Sequence, residues 1–185
     1  LIDFFSEYAL FKYRVRIEVE YLIQLSNQGL QNITALTEDE CYKLRGLYMD
    51  FTLQDAEQIK KIERVTNHDV KAVEYFVKEQ LEKLGRKDLL EFVHFGLTSQ
   101  DINNTAVPLS IKEAQLEAML PRLLTVLEIL RAQSKTWDKH PMLARTHGQP
   151  ASPTRLGKEL QVFVERIDQQ MLQFEHIPFA AKFGG

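Results

Sequence analysis

From Phe4 the apolar residues Phe4, Tyr8, Phe11, Val15, Val19 and Leu22 recur at steps of three or four, the spacing of one helix face. This pattern predicts a first helix ending near Gly29. A second start is marked by Thr37 with Glu40 three residues on, the reciprocal pair that satisfies free amides at a helix N-terminus. That helix is expected to run to about Met49. A third covers Leu53 to Val65, with Glu57, Lys60 and Lys61 on its solvated face. The stripe Val70, Val73, Val77, Leu81 and Leu84, stopped by Gly85, predicts a fourth. Its opening is Thr66-Asn67-His68-Asp69, read as a Thr66/Asp69 cap with His68 in the first turn.

A short helix through Leu89, Leu90 and Val93 leads to Thr98-Ser99-Gln100-Asp101-Ile102-Asn103-Asn104-Thr105, where Thr again precedes Asp by three. The extra amides and hydroxyl at Asn103, Asn104 and Thr105 exceed what capping requires. A long helical pattern follows to about Trp137, with kinks or breaks expected at Pro108 and Pro121 and an apolar face of Leu120, Leu123, Leu127 and Leu130. Arg145-Thr146-His147-Gly148-Gln149-Pro150-Ala151 cannot continue that helix, because glycine costs about 1 kcal/mol and proline about 3 in a helix interior. His147 is therefore placed on a loop, where catalytic groups held by rigid elements are often found. Ser152-Pro153 reads as the start of a last helix striped by Leu156, Leu160, Phe163, Val164, Ile167, Met171 and Phe174 and ended by Pro178. No stretch alternates like a strand, so the chain reads as all-α.

Composition narrows the function classes. The 185 residues are 44% hydrophobic and 26% charged, enough for one globular unit with a real core. A net charge of −3 with scattered basic residues gives no footprint for nucleic acid. Cys41 is the single cysteine, which leaves no internal disulfide and no cysteine metal cluster. No signal segment opens the chain, and the most apolar window, Met119 to Leu130, is interrupted by Pro121, Arg122 and Glu128. A soluble, cytoplasmic protein without a membrane partner is expected. A start without methionine and a Gly184-Gly185 end suggest a piece of a longer chain.

The sequence lacks a phosphate loop, a dinucleotide fingerprint, a zinc-binding His-Glu-x-x-His and a Gly-x-Ser-x-Gly elbow. No cofactor and no metal are expected. What remains is two polar helix starts and a loop histidine, a combination suited to a multiply anionic substrate and a proton transfer. A helical scaffold whose motifs are only caps is the competing reading; it accounts for the threonines and aspartates but not for His68, Asn103, Asn104 and His147 together.

The runs Thr66-Asn67-His68-Asp69-Val70-Lys71-Ala72-Val73-Glu74-Tyr75-Phe76, Thr98-Ser99-Gln100-Asp101-Ile102-Asn103-Asn104 and Arg145-Thr146-His147-Gly148-Gln149-Pro150-Ala151 resemble the adenylosuccinate lyase branch of the fumarase/aspartase superfamily. Other superfamily members, such as argininosuccinate lyases, share the helical fold and a Thr-His-x-Gln element. The resemblance implies an N-terminal helical domain over 1–94 and the first long helices of a bundle domain over 95–185. It implies elimination of fumarate from adenylosuccinate and from succinylaminoimidazole carboxamide ribotide, without cofactor, in a homotetramer with shared active sites. By the same resemblance His147 is the acid that protonates the leaving nitrogen. Asn67, His68 and Asp69 bind near the phosphate, with His68 also catalytic, while Thr98 and Ser99 hold the succinyl side and Gln149 adds a contact. The family's serine base and its N-terminal Arg-Tyr pair match no position here.

Overall fold

The structure is a computed structural model describing residues 1–31 and 33–184. It is helical apart from one two-stranded hairpin among the described residues. Contacts divide it into two compact units, Leu1–Glu113 with Phe179–Gly185, and Ala114–Pro178. The single unit expected from length is thus two. The division falls at 113/114, inside the 95–185 stretch that the resemblance assigns to the bundle domain.

The first unit contains α1 (Ile2–Phe5), α2 (Glu7–Ser26), α3 (Glu38–Met49), α4 (Leu53–Thr66), α5 (Asp69–Lys83), a 3₁₀ turn (Lys87–Phe92) and α6 (Ser99–Ala114) up to Glu113. Helix α2 is its axis. One side, Phe11, Val15, Val19, Leu22 and Ile23, packs into the main core with Leu44, Ile59, Phe76, Leu81 and Leu89. The other, Ala9, Tyr13 and Ile17, closes on Val70, Ile102 and Ala106. Ile102 and Ala106 pack on α2, which ties α6 to this unit.

The expected capping box at Thr37/Glu40 is present, and a second one stands at Thr52/Asp55. Thr66, however, is the last residue of α4 and not the cap of α5. That cap is His68, whose Nδ1 accepts from the Lys71 amide at 3.2 Å. The link between the helices is one residue, Asn67, in the left-handed region at φ 51°, which asparagine tolerates better than most side chains. Pro108 lies inside α6 without ending it. Residues 179–184 return to this unit, where the Phe183 ring stacks on Tyr21 and the Gly184 amide donates to Asp101 at 2.9 Å.

The second unit holds a π-helical turn (Gln115–Met119), α7 (Leu120–Thr136), β1 (Pro141–Thr146), β2 (Gln149–Arg155) and α8 (Leu156–Glu175). Leu120, Leu127, Val164 and Met171 form its core. Arg131 pairs with Asp168 across the two helices at 2.5 Å. Gly157 lets α8 approach α7, since a β-carbon there would meet the Ser134 carbonyl oxygen at 2.2 Å. The amides of Leu156 and Gly157 donate to the carbonyls of His140 and Trp137, so the α8 start is satisfied by the end of α7.

The hairpin corrects the sequence reading, which found no strand and placed the last helix at Ser152-Pro153. β1 and β2 pair antiparallel, Thr146 opposite Gln149 and Arg145 opposite Pro150, with a register shift between Leu143 and Arg145. Proline is tolerated because each strand of a two-stranded ribbon has a free edge. The turn is His147-Gly148, both residues at positive φ, 51° and 76°, as the favoured two-residue hairpin turns of type I′ require.

Candidate functional site

In the first unit the starts of α5 and α6 come together. His68 Nε2 lies 3.3 Å from Ser99 Oγ. Because Nδ1 accepts from the Lys71 amide, a neutral His68 carries its proton on Nε2, facing the Ser99 hydroxyl. Both groups sit at helix starts, where the helix dipole favours negative charge.

Asp69 follows His68, and both its oxygens are engaged. Oδ1 accepts from the Val70 amide at 2.9 Å, and Oδ2 pairs with Arg14 at 2.7 Å. Partial burial pushes its carboxyl up, but the Val70 amide and Arg14 outweigh this and hold it below the usual range. Asp69 is therefore a standing carboxylate and no proton donor near neutrality. Thr98 is similarly occupied, its amide and hydroxyl both donating to Asp101 Oδ2, at 2.8 and 3.0 Å. The Thr98 amide, helped by the Thr98 hydroxyl and the Gly184 amide, holds the Asp101 carboxyl low.

The polar run after Asp101 has structural employment that sequence reading did not assign. Asn103 Oδ1 accepts from Arg14 Nε at 2.9 Å, Asn104 Oδ1 from Gln100 at 2.6 Å, and the Thr105 hydroxyl donates to the Asp101 carbonyl. Asn67, exposed, stands beside His68 at the tight α4–α5 corner.

Sequence reading passed over a layer beneath these residues. Glu18 on α2 is fully buried, with Oε1 2.5 Å from His94 Nδ1 and Oε2 without a partner among the described residues. Burial pushes the Glu18 carboxyl up against the pull of His94, while the bond to Glu18 raises His94. Glu74, also buried, is held low by Lys71 and Lys78, both at 2.9 Å, against the upward push of burial. Arg14, Glu18 and Glu74 were visible as charges inside otherwise apolar helical stretches, a signal that buried polar work is being done.

In the second unit His147 and Gln149 are exposed at the tip of the hairpin, on the turn and at the first position of β2. Among the described residues no group of three or more His, Cys, Asp or Glu side chains is placed to hold a metal ion, and no helix is long and apolar enough to cross a membrane.

The chain is 52% identical over its whole length to the adenylosuccinate lyase of Dictyostelium discoideum, covering 41% of that protein. It is 38% identical over 98% of its length to that of Escherichia coli K12, covering 40%. It thus spans about two fifths of the curated relatives it matches. Among solved structures, a fumarate lyase from Mesorhizobium sp. BNC1 has a TM-score of 0.77 at 22% identity, over 99% of this chain and 41% of that one. A 3-carboxy-cis,cis-muconate lactonizing enzyme from Pseudomonas putida has 0.74 at 19%, with 99% and 41% covered. At such identities these two speak for the fold alone. A family model described as a lyase matches residues 1–181, and the chain belongs to that lyase family.

Proposed function

We propose that the whole protein is an adenylosuccinate lyase, eliminating fumarate from adenylosuccinate to give AMP and from succinylaminoimidazole carboxamide ribotide. The observation that carries this reading is the convergence of His68 and Ser99 at two helix starts, in a chain similar over its whole length to enzymes of that name. Both substrates are multiply anionic, and the helix dipoles at the α5 and α6 starts suit anions. Asn67, His68 and Asp69 serve the phosphate side, and Thr98 and Ser99 the succinyl side. Asp69 contributes by holding the start of α5, since its oxygens are already taken. His147 protonates the departing nitrogen, with Gln149 beside it on the hairpin. The base that takes the hydrogen next to the carboxylate is assigned to a part of the whole protein that matches no position here. Release of fumarate from either substrate by the full-length protein tests the proposal; a folded protein that releases none from both refutes it.

The reading includes a cytoplasmic homotetramer in which residues 95–185 open the bundle domain. Supporting the assembly, Leu116, Met119, Leu124, Val126, Ile129, Phe163 and Leu172 remain exposed on the second unit, more apolar surface than a lone helix pair normally leaves to water. Light scattering on the full-length protein at micromolar concentration is expected to give four subunits. A monomer that still turns over substrate would refute sites shared between subunits.

Binding and chemistry separate in two variants. Ser99→Ala is expected to raise KM with a small change in kcat, because it removes a hydrogen bond to bound substrate. His68→Ala is expected to lower kcat and raise KM together. Both constants measured for each variant decide the matter; no change in either leaves His68 and Ser99 with a capping role only.

A further inference from the structure

Arg14 is 5% exposed on α2, and its guanidinium forks between the two helix starts that carry His68 and Ser99. One arm pairs with Asp69 Oδ2 at 2.7 Å, directly after His68. The other, Nε, donates to Asn103 Oδ1 at 2.9 Å, one turn after Ser99. We propose that Arg14 is a positioning residue, holding α5 and α6 in the register that sets His68 opposite Ser99.

Tyr13 and Arg16 also tie α2 to α6, both bonding Glu113 at 2.7 Å, but Glu113 lies at the end of α6 far from Ser99. The cluster of Val70, Ile102 and Ala106 on Ala9, Tyr13 and Ile17 fixes how closely the helices approach, but apolar packing is non-directional. The His68–Ser99 contact is 3.3 Å long between polar groups near the surface, where water competes for both partners and the net contribution of a neutral hydrogen bond is small. A buried guanidinium is different. Its planar fork has fixed donor directions, its charge does not titrate, and its bonds to a carboxylate and an amide oxygen are charge-assisted. Asp69 in turn accepts through Oδ1 from the Val70 amide in the first turn of α5. A rigid path therefore runs from Asn103 through Arg14 and Asp69 to the backbone of the turn that carries His68.

The kinetic consequence rests on the proposed elimination reaction, while the geometric one does not. In the full-length protein Arg14→Gln is expected to cut kcat by about 10²-fold, the scale of an ångström-sized misplacement, with KM for adenylosuccinate changed by less than about threefold. The fold should survive, because the Asp69 side chain is 47% exposed and water can solvate it. Arg14→Lys keeps the charge but offers no fork, and should recover only part of kcat. Asn103→Ala cuts the α6 arm alone, with an expected kcat loss of about tenfold, and carries the same test if Arg14→Gln does not fold. Normal kcat in a folded Arg14→Gln tetramer overturns the proposal, as does normal kcat in Asn103→Ala if that variant must stand in. If the unsubstituted protein releases no fumarate, the functional reading falls and the crystal structure of the variant decides about Arg14. His68 Nε2 and Ser99 Oγ beyond hydrogen-bond reach supports positioning, and an unchanged separation refutes it.

Discussion

Replacing His147 by glutamine in the full-length protein is expected to leave the fold and substrate binding in place and to lower the elimination rate by about 10² to 10⁴, the contribution of a positioned acid. Glutamine keeps a hydrogen bond but has no proton to give. An amino nitrogen is a poor leaving group unless protonated, and an imidazole is the side chain whose ordinary titration range supplies a proton near neutrality. Asp69 and Asp101 do not compete for the role. The Val70 amide and Arg14 hold one carboxyl low, and the Thr98 amide the other. The structure also suits the substitution, since His147 is exposed on the turn of a hairpin closed by its own strand pairs. Its positive φ is the one local cost, which glutamine bears somewhat less easily than histidine. Single-turnover rates with binding measured separately check the expectation. Near-normal turnover would make His147 a turn residue and His68 the leading acid. Mixing His147→Gln with His68→Gln subunits adds a second test, because sites shared between chains should regain activity in mixed tetramers. Proven mixed tetramers without recovery would assign both histidines to one subunit's contribution.

The second large effect concerns stability. His94→Ala is expected to destabilise the first unit by about 3–5 kcal/mol, the scale of breaking a buried pair by removing one partner, and the unsubstituted protein is expected to lose stability as pH rises above about 6.5. Glu18 is fully buried and His94 is its hydrogen-bond partner. Burial raises the Glu18 carboxyl and the bond to Glu18 raises His94, so the folded pair holds protons that the unfolded chain releases. Where the folded state binds more protons, stability falls as pH rises. In the unsubstituted protein the contribution of His94 is complete below about pH 6.5, the unfolded histidine value, and is lost as pH climbs through the raised folded value. Thermal unfolding of the variant checks the size of the loss, and a pH series on the unsubstituted protein checks the direction. Stability that does not fall above about pH 6.5 would mean that the protons of the pair do not matter.

Much of the first unit was legible in the chain. The stripe Phe11, Val15, Val19 and Leu22 names the side of α2 that enters the main core, and Thr37/Glu40 and Gly85 bound their helices where capping and left-handed geometry require. The three motifs could be found without coordinates, because helix starts and tight turns demand particular side chains locally. The hairpin was not legible. Pro141, Pro150 and Pro153 argue against strands, and only pairing across a ribbon whose edges are both free makes them acceptable. Its turn did have a signal, a residue followed by glycine between paired segments.

What depends on one segment, namely periodicity, caps and breakers, was determined by the sequence itself, since those preferences act within a few residues. What only the tertiary structure decided is long-range. Ala9, Tyr13 and Ile17 form a second buried side of α2 only because α5 and α6 return there. Asp69 and Asn103 are joined only because Arg14, 55 and 89 residues before them in the numbering, lies between them. Glu18 and His94 form a buried pair across 76 positions. Side-chain electrostatics and hydrogen bonding extend only a few ångströms, so which charges meet is set by how the helices pack and by nothing written next to them in the chain.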